Sequence, residues 1–242
     1  MIKKNIILLC FVFVSLFKSQ VLDEYPKKQD FYEGGIVNFY KEVHEYLITN
    51  KFQECDSKEI YQPRIMITRD AVVKIIKDND TVHIAKNKCA YDLSMNILKN
   101  LTHWKPAEVK GGKIGAITEF ILYPKDVMSN YRENYNAYNF IMLAQFPGGD
   151  KVFNKEFHDN FMAIFSDYHI NGDVNLEFYI NEEGAIVSPR IYPAIDNKSF
   201  NIDFMRTLSR LKKKWKPALY SNIPIKQRIA FPLNFSINFY ER

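Results

Sequence analysis

Two histidines have the neighbours that acid–base chemistry needs. His44 and His158 each follow a glutamate by two positions and directly precede another acidic residue, and a histidine held by a carboxylate can transfer protons near neutral pH. Both, however, lie one residue past the apolar stripe of a predicted helix, at matching places in the two halves of the chain. No serine stands in a nucleophile-elbow context. We therefore predict exposed helical histidines and no enzymatic activity.

Glycine and lysine clusters give no support for a cofactor. Gly111-Gly112 and Gly148-Gly149 lack the following lysine and serine or threonine of a phosphate-binding loop, so we predict turns. Lys212–Lys214 close a predicted helix, where positive charge is favourable, and we interpret them as a solvated helix end. No Cys/His spacing matches a zinc site. The sequence predicts neither a cofactor nor a metal.

The charge balance argues against a nucleic-acid-binding protein. The 242 residues include 33 lysines and arginines against 28 aspartates and glutamates, a formal net charge of +5. Lys3, Lys4 and Lys18 lie in the first nineteen residues, which contain no acid, so the remainder holds 30 against 28, or +2. That excess gives no electrostatic footprint for nucleic acid. With 47% apolar and 25% charged residues, the composition is typical of a globular protein.

The N-terminus has the pattern of a secretory signal. Two lysines precede the twelve apolar and small residues Ile6–Phe17, which are too few for a membrane-spanning helix of about 20 residues. A basic start, a short apolar stretch and a small residue at Ser19 predict a signal peptide over residues 1–19, cleaved after Ser19, and a periplasmic location. An uncleaved signal anchor in the inner membrane is the alternative.

Two cysteines, Cys55 and Cys89, remain after this cleavage. Exported compartments are oxidising, so an even cysteine count favours a disulfide. Two separate thiols are the alternative, because the sequence does not give the distance between them.

The rest of the chain contains an internal repeat. YEGGIVNFYKEVHEYL (Tyr32–Leu47) aligns without a gap with FPGGDKVFNKEFHDNF (Phe146–Phe161), and the Trp-Lys-Pro-Ala of 104–107 recurs at 215–218. Tyr123-Pro124 then pairs with Phe231-Pro232, so the offset falls from 114 to 111 to 108. We predict two copies of one unit: module 1 over residues 30–125 and module 2 over residues 146–242. A connector, residues 126–145, packs partly against a module.

Periodicity predicts the order helix, strand, strand, helix, strand in each module. Apolar residues at intervals of four predict the first helix, and alternation predicts strands around turns at Thr68–Ala71 and Asn181–Gly184. The second helix is predicted to run to the tryptophan and end at the proline two residues later. The last strand is predicted at Ile117–Tyr123 and at Ile229–Phe239. The fold class is therefore α+β: two tandem modules, each a three-stranded antiparallel sheet with two helices on one face.

Pro232 predicts where the last strand lies in its sheet. Proline has no N–H to donate to a neighbouring strand and is confined to strand starts, bulges and edges. We therefore predict an edge strand with unpaired backbone groups along one side.

The ordered landmarks of module 2 resemble the C-terminal domain of TonB, the periplasmic end of the energy transducer for outer-membrane transporters. Phe146-Pro147 stands where the family has Tyr-Pro, and GDVNLEFYINEEGAI (Gly172–Ile186) matches its glycine, alternating strand and acidic turn. The stretch from Asp203 to the Trp-Lys-Pro-Ala matches its second helix, and Pro232–Phe235 its closing Pro-x-x-Phe. The resemblance covers Phe146–Phe239 and, more loosely, Tyr32–Tyr123.

The resemblance implies a mode of action. Such domains capture a short extended segment of a transporter, the TonB box, by adding it as a strand to the sheet, so that main-chain hydrogen bonds supply affinity. Carried over by position, the implied partner-binding residues are those of the last strand and of the start of the module: Ile229, Phe231, Leu233, Asn234, Phe235, Ser236, Ile237, Phe146 and Pro147.

Two features of a full transducer are absent from this sequence. There is no long membrane helix and no proline-rich spacer, since Tyr25-Pro26 follows the apolar stretch almost directly. We predict an exported protein that binds an extended segment of an outer-membrane transporter or of another periplasmic protein. The alternatives are an assembly protein that forms a homodimer through its edge strand and a signal-anchored transducer.

Overall fold

The computed structural model describes residues 21–163 and 172–235. The predicted signal peptide and two of the implied binding residues, Ser236 and Ile237, lie outside these residues. Each helix within the described ranges is too short or too polar to cross a bilayer.

Module 1 is an α+β unit whose sheet has the strand order β1-β5-β2-β3, with β4 also pairing with β5. Strands β2, β3 and β5 form the predicted antiparallel sheet, and β1 adds to β5 in parallel. The elements are β1 (Val21–Leu22), α1 (Gly35–Thr49), β2 (Arg64–Ile67), β3 (Val73–Ile75), α2 (Thr81–Lys86), α3 (Lys88–Asn100), β4 (Ala107–Val109) and β5 (Gly112–Glu119).

Module 2 repeats this plan, with a three-stranded antiparallel sheet in the order β11-β7-β8. A second small sheet, β10-β9-β6, joins the module to the connector. Helix α4 (Pro124–Val127) spans the junction of module 1 and the connector, and the connector contains a 3₁₀ turn (Ala137–Phe140) and β6 (Ile141–Met142). The elements of module 2 are α5 (Asp150–Met162), β7 (Gly172–Ile180), β8 (Ile186–Tyr192), α6 (Lys198–Ser209), β9 (Ala218–Tyr220), β10 (Ile223–Ile225) and β11 (Gln227–Phe235). The predicted fold class is confirmed.

The first helix of each module forms for the predicted reason. The residues at intervals of four in α1 (Phe39, Val43 and Leu47) are fully buried, and those in α5 (Phe153, Phe157 and Phe161) are nearly so. A continuous apolar stripe therefore faces each sheet. The two glycines before each stripe adopt positive φ angles, from 74° to 92°, a conformation that glycine adopts without steric cost.

Each module has its own aromatic core. In module 1 the rings of Tyr32, Phe39 and Trp104 pack within 5.7 Å of one another, measured between centroids. In module 2 the equivalent Phe146, Phe153 and Trp215 pack within 5.4 Å. Tyr220 and Ile225 of the β9–β10 hairpin belong to the core of module 1, so the two modules share packing.

The second helices are shorter than predicted. Helix α3 ends at Asn100 and α6 at Ser209, so both tryptophans lie beyond the helix although both are buried. After each helix the chain turns back: the N–H of Lys105 donates to the carbonyl of Phe31, and that of Lys216 to the carbonyl of Gln145. A helix that continued to the tryptophan would not present these backbone groups.

The last strand of module 1 also differs from the prediction, because it covers Gly112–Glu119 rather than Ile117–Tyr123. Strand register gives the reason. Ile67 and Ile180 are equivalent, because each pairs across its hairpin with the residue six positions later (Val73 and Ile186). On its other side Ile67 pairs with Ala116, and Ile180 pairs with Gln227. Ala116 therefore corresponds to Gln227, an offset of 111. The predicted offset of 108, which pairs Tyr123-Pro124 with Phe231-Pro232, is wrong.

Cys55 and Cys89 form a disulfide with a Cα–Cα distance of 5.6 Å. The bridge closes a loop between residues 34 positions apart and ties the segment after α1 to the start of α3. Of the two alternatives left by the sequence, the structure has the disulfide.

Candidate functional site

Strand β11 forms one edge of the module 2 sheet. All nine of its residues pair with β7, from Gln227 opposite Ile180 to Phe235 opposite Gly172. On its other side, no strand of the described ranges pairs with it. The edge position predicted from Pro232 is thus observed.

The contacts of Lys226 show which backbone groups face outward. The backbone N–H of Lys226 donates to Oε1 of Gln62 (3.1 Å), and its carbonyl accepts from Nε2 of the same side chain (2.9 Å). Backbone groups alternate in direction along a strand, so Gln227 faces β7 and every second residue after Lys226 faces away from it. The outward-facing residues of β11 are Arg228, Ala230, Pro232 and Asn234.

Pro232 fits this alternation. Its imide nitrogen lies on the open side, so the missing N–H removes no hydrogen bond from the ladder with β7. The open edge consequently offers a backbone N–H and a carbonyl at each of Arg228, Ala230 and Asn234. At Pro232 it offers only a carbonyl.

Two of the implied contact residues of β11 have side chains that pack against the core. Ile229 and Phe231 are half-buried on the helix side, where the Phe231 ring lies 5.2 Å from that of Phe153. Their side chains thus belong to the core. Only the outer backbone edge of their strand is open to a partner. Leu233, Asn234 and Phe235 pair through their backbones with Val174, Asp173 and Gly172.

Phe146 and Pro147 do not form a surface beside this edge. Phe146 is 2% exposed and packs against Phe153 and Trp215, so its side chain belongs to the core and is not accessible to a partner. Pro147 is half-buried at the entrance to α5. These two implied binding residues have structural positions.

The corresponding strand of module 1 is partly covered along the same side. Strand β1 pairs with Gly115 and Ala116 there. Strand β4 instead pairs with residues 112–114 on the side of β2, because backbone groups alternate in direction along β5. The hydroxyl of Tyr138 in the connector then donates to the carbonyl of Glu119 (2.8 Å). Module 1 therefore covers its own edge with β1 and Tyr138, whereas among the described residues of module 2 the equivalent side is covered only at Lys226.

A buried charge network lies on the helix-free face of the module 2 sheet. Glu177, 5% exposed, accepts hydrogen bonds from Arg190 (2.7 Å) and Arg228 (2.6 Å) on the flanking strands. Asp23 and Glu24, which follow β1, bind the outer sides of Arg190 and Arg228 at 3.4 and 2.9 Å. The N-terminal segment thus contacts both sheets.

The network shifts the titration of its members. Burial opposes the charge of Arg190 and of Arg228, but hydrogen bonding to Glu177 and its negative charge outweigh burial, so the pKa of each guanidinium is raised. On the module 1 sheet, burial raises the pKa of Glu119 on β5. The positive charges of Arg64, Arg228 and Lys226 partly offset this rise. Charges of both modules therefore act on the same polar interface.

The other groups singled out by sequence are structural or solvent-exposed. His158 is 60% exposed by its side chain. His44 was predicted to be exposed, but it is half-buried: its Nδ1 lies 2.9 Å from the carbonyl oxygen of Val127, and its ring stacks on Tyr131.

Cys55, Cys89 and Glu59 lie close enough together to suggest metal ligands. However, the two sulfur atoms are bonded to each other, and the Glu59 carboxylate accepts hydrogen bonds from the N–H groups of Cys89 and Ala90. These three residues therefore have structural partners in place of a metal ion.

Sequence reasoning missed the groups that close or limit the edges. Strand β1 has two residues, too few for a periodic signal, and Gln62 acts through a side-chain amide in an irregular segment. The charge network had a detectable signal, because Glu177 stands on the polar face of an alternating strand.

No protein-family model matches this chain, and neither curated proteins nor solved structures include one that is significantly similar.

Proposed function

We propose that this protein binds an extended segment of a partner protein by adding it as a strand to the outer edge of β11. The observation that carries the proposal is the open side of β11, where the backbone groups of Arg228, Ala230 and Asn234 face away from β7. Strand addition of this kind uses main-chain hydrogen bonds for affinity. The resemblance of module 2 to TonB C-terminal domains supports the same edge.

The partner we propose is a periplasmic segment of an outer-membrane transporter. Export through a cleaved signal peptide is part of the proposal, and the Cys55–Cys89 disulfide supports it, because such bonds persist in oxidising compartments. In this proposal the protein has no catalytic role.

Pro232 argues against the alternative in which two copies pair through β11. In a symmetric antiparallel pairing centred on Phe231, Arg228 lies opposite Asn234 and Ala230 lies opposite Pro232. Each copy then lacks one ladder hydrogen bond, because Pro232 has no N–H to donate to Ala230. A foreign strand loses only one such bond in total. Pro232 thus disfavours pairing of two copies at this exposed edge.

The test removes a single outward N–H. Ala230→Pro leaves the ladder with β7 intact, since this N–H faces away from it, and we expect a TonB-box peptide to bind about tenfold more weakly to the variant. The matched control, Ala230→Val, keeps the N–H and should bind as the parent does. Pro232→Ala adds an outward N–H and should strengthen binding about threefold.

Amide chemical shifts measured during peptide titration locate the site. The proposal requires shifts at Arg228 and Ala230, with those of β5 unchanged. Shifts confined to β8 or module 1, or equal affinity of the Ala230→Pro variant, would refute it. Urea unfolding of each variant checks that the fold is retained.

A further inference from the structure

The open edge of β11 has a defined beginning. Gln62 makes two hydrogen bonds with Lys226, one to its N–H and one to its carbonyl, as the peptide group of a neighbouring strand would. At the equivalent place in module 1, Gly115 and Ala116 are covered by β1. The side-chain amide of Gln62 therefore occupies the strand position beside Lys226, and an added strand has room only from Arg228 onward.

A small cavity of about 220 Å³ adjoins Lys226. One wall is formed by Ile121, Tyr138, Ile141, Leu143 and Ile225. The other lining residues are polar: Gln62, Glu119, Lys226, Gln227 and Arg228. Leu143 is 65% exposed, and neighbouring Met142 is 59% exposed. Exposed apolar side chains that continue a binding edge are typical of recognition surfaces.

A second copy of this chain would not place an apolar residue at the cavity. A second copy paired centrally through β11 would set the polar Asn234 opposite Arg228.

We infer that the added strand ends beside Gln62 and places a bulky apolar side chain, such as leucine, in the cavity next to Leu143. This inference rests on the proposed function and adds the chemistry of the partner: an extended segment with an apolar anchor at the end that lies against the connector. Main-chain pairing alone does not discriminate between sequences, and the anchor supplies specificity and fixes the register.

Synthetic peptides of alternating threonine and valine test this with the whole protein. One peptide has leucine at its amino end, a second has leucine at its carboxyl end, and each has a control with the nearly isosteric asparagine at that place. We expect one leucine peptide to bind about tenfold more tightly than its control, and the end that matters gives the direction of the strand. Leu143→Ser should abolish this preference without changing the affinity of the asparagine peptides.

A second readout tests Gln62 itself. A spin label beside the leucine should broaden the amide signals of Leu143 and Arg228 in the parent. In Gln62→Ala the strand can slide, so the broadening should spread to residues before Lys226.

The outcomes separate the two proposals. Equal binding of leucine and asparagine peptides, with shifts at Arg228 and Ala230, would overturn the anchor and leave strand addition standing. No shift at those amides with any peptide would overturn both, as would a dimer in sedimentation that protects them.

Discussion

The two modules share a plan but differ in what happens along the last strand. In module 1 the strands β2 and β5 pair over four residues, and the outer side of β5 is covered by β1 and the Tyr138 hydroxyl. In module 2 the strands β7 and β11 pair over nine residues, and within the described part of the chain the outer side is covered only at Lys226. A repeated fold can thus yield one copy whose edge is covered and one whose edge is open.

Strand length is the main cause of this difference. By register, Glu119 at the end of β5 corresponds to Ala230, and β11 continues for five residues beyond that point. Longer strands expose more unpaired backbone, which small additions at one end cannot cover.

The hairpin turns give the strongest contrast. Gly184 has φ of +76°, and a Cβ at this position would lie 2.0 Å from the carbonyl oxygen of Trp215. The corresponding residue of module 1, Ala71, adopts a similar φ of 61° with its Cβ present. Gly184→Ala should therefore destabilise module 2 by more than about 3 kcal/mol, measured by urea unfolding followed through amide signals of each module.

Ala71→Gly is the matched control and should change the stability of module 1 by less than about 1 kcal/mol. An equally small effect of Gly184→Ala would contradict the close contact between this turn and the carbonyl of Trp215. It would also contradict the inference that the module 2 hairpin is more tightly packed than that of module 1.

The two core tryptophans provide the second comparison. Nε1 of Trp104 donates to the carbonyl of Leu101 (2.7 Å), whereas the buried Nε1 of Trp215 has no acceptor within the described residues. Replacement of each by phenylalanine removes similar volume, but only Trp104→Phe breaks a buried hydrogen bond. We expect Trp104→Phe to cost about 1 kcal/mol more than Trp215→Phe in urea unfolding. Equal costs would mean that Trp215 also donates a hydrogen bond.

Patterns with a regular period were enough to predict the repeated elements. The stripes of α1 and α5, the alternating strand that contains Glu177, and the edge position from Pro232 all agree with the structure, because each follows from local backbone geometry. The helix ends were wrong because Leu211 and Trp215 continue the apolar spacing after the helix has stopped. Tertiary pairing of Lys216 with Gln145 decides that boundary, and no local pattern reports it.

The groups that distinguish the two edges depend on contacts between distant parts of the chain. β1 pairs with a strand more than ninety residues later, and Gln62 reaches Lys226 across 164 residues. A short local match, Tyr-Pro against Phe-Pro, suggested an alignment that the strand register overrules. Register depends on hydrogen bonding along the whole sheet, so sequence indicated which strand forms the edge but not which copy leaves it open.

Removal of β1 tests whether its presence is what separates the modules. A chain that begins at Asp23 lacks Val21 and Leu22, so Gly115 and Ala116 lose their outer partner. We expect a cost of about 1 kcal/mol and about tenfold faster amide exchange in this part of β5, compared with a chain that begins at Gln20. A TonB-box peptide should still bind only at β11, because Tyr138 continues to bind the carbonyl of Glu119 and leaves only a short outer stretch of β5 open. If a second peptide instead bound at Gly115, β1 would be an internal occupant of a second binding edge, and the modules would differ in occupancy rather than in kind.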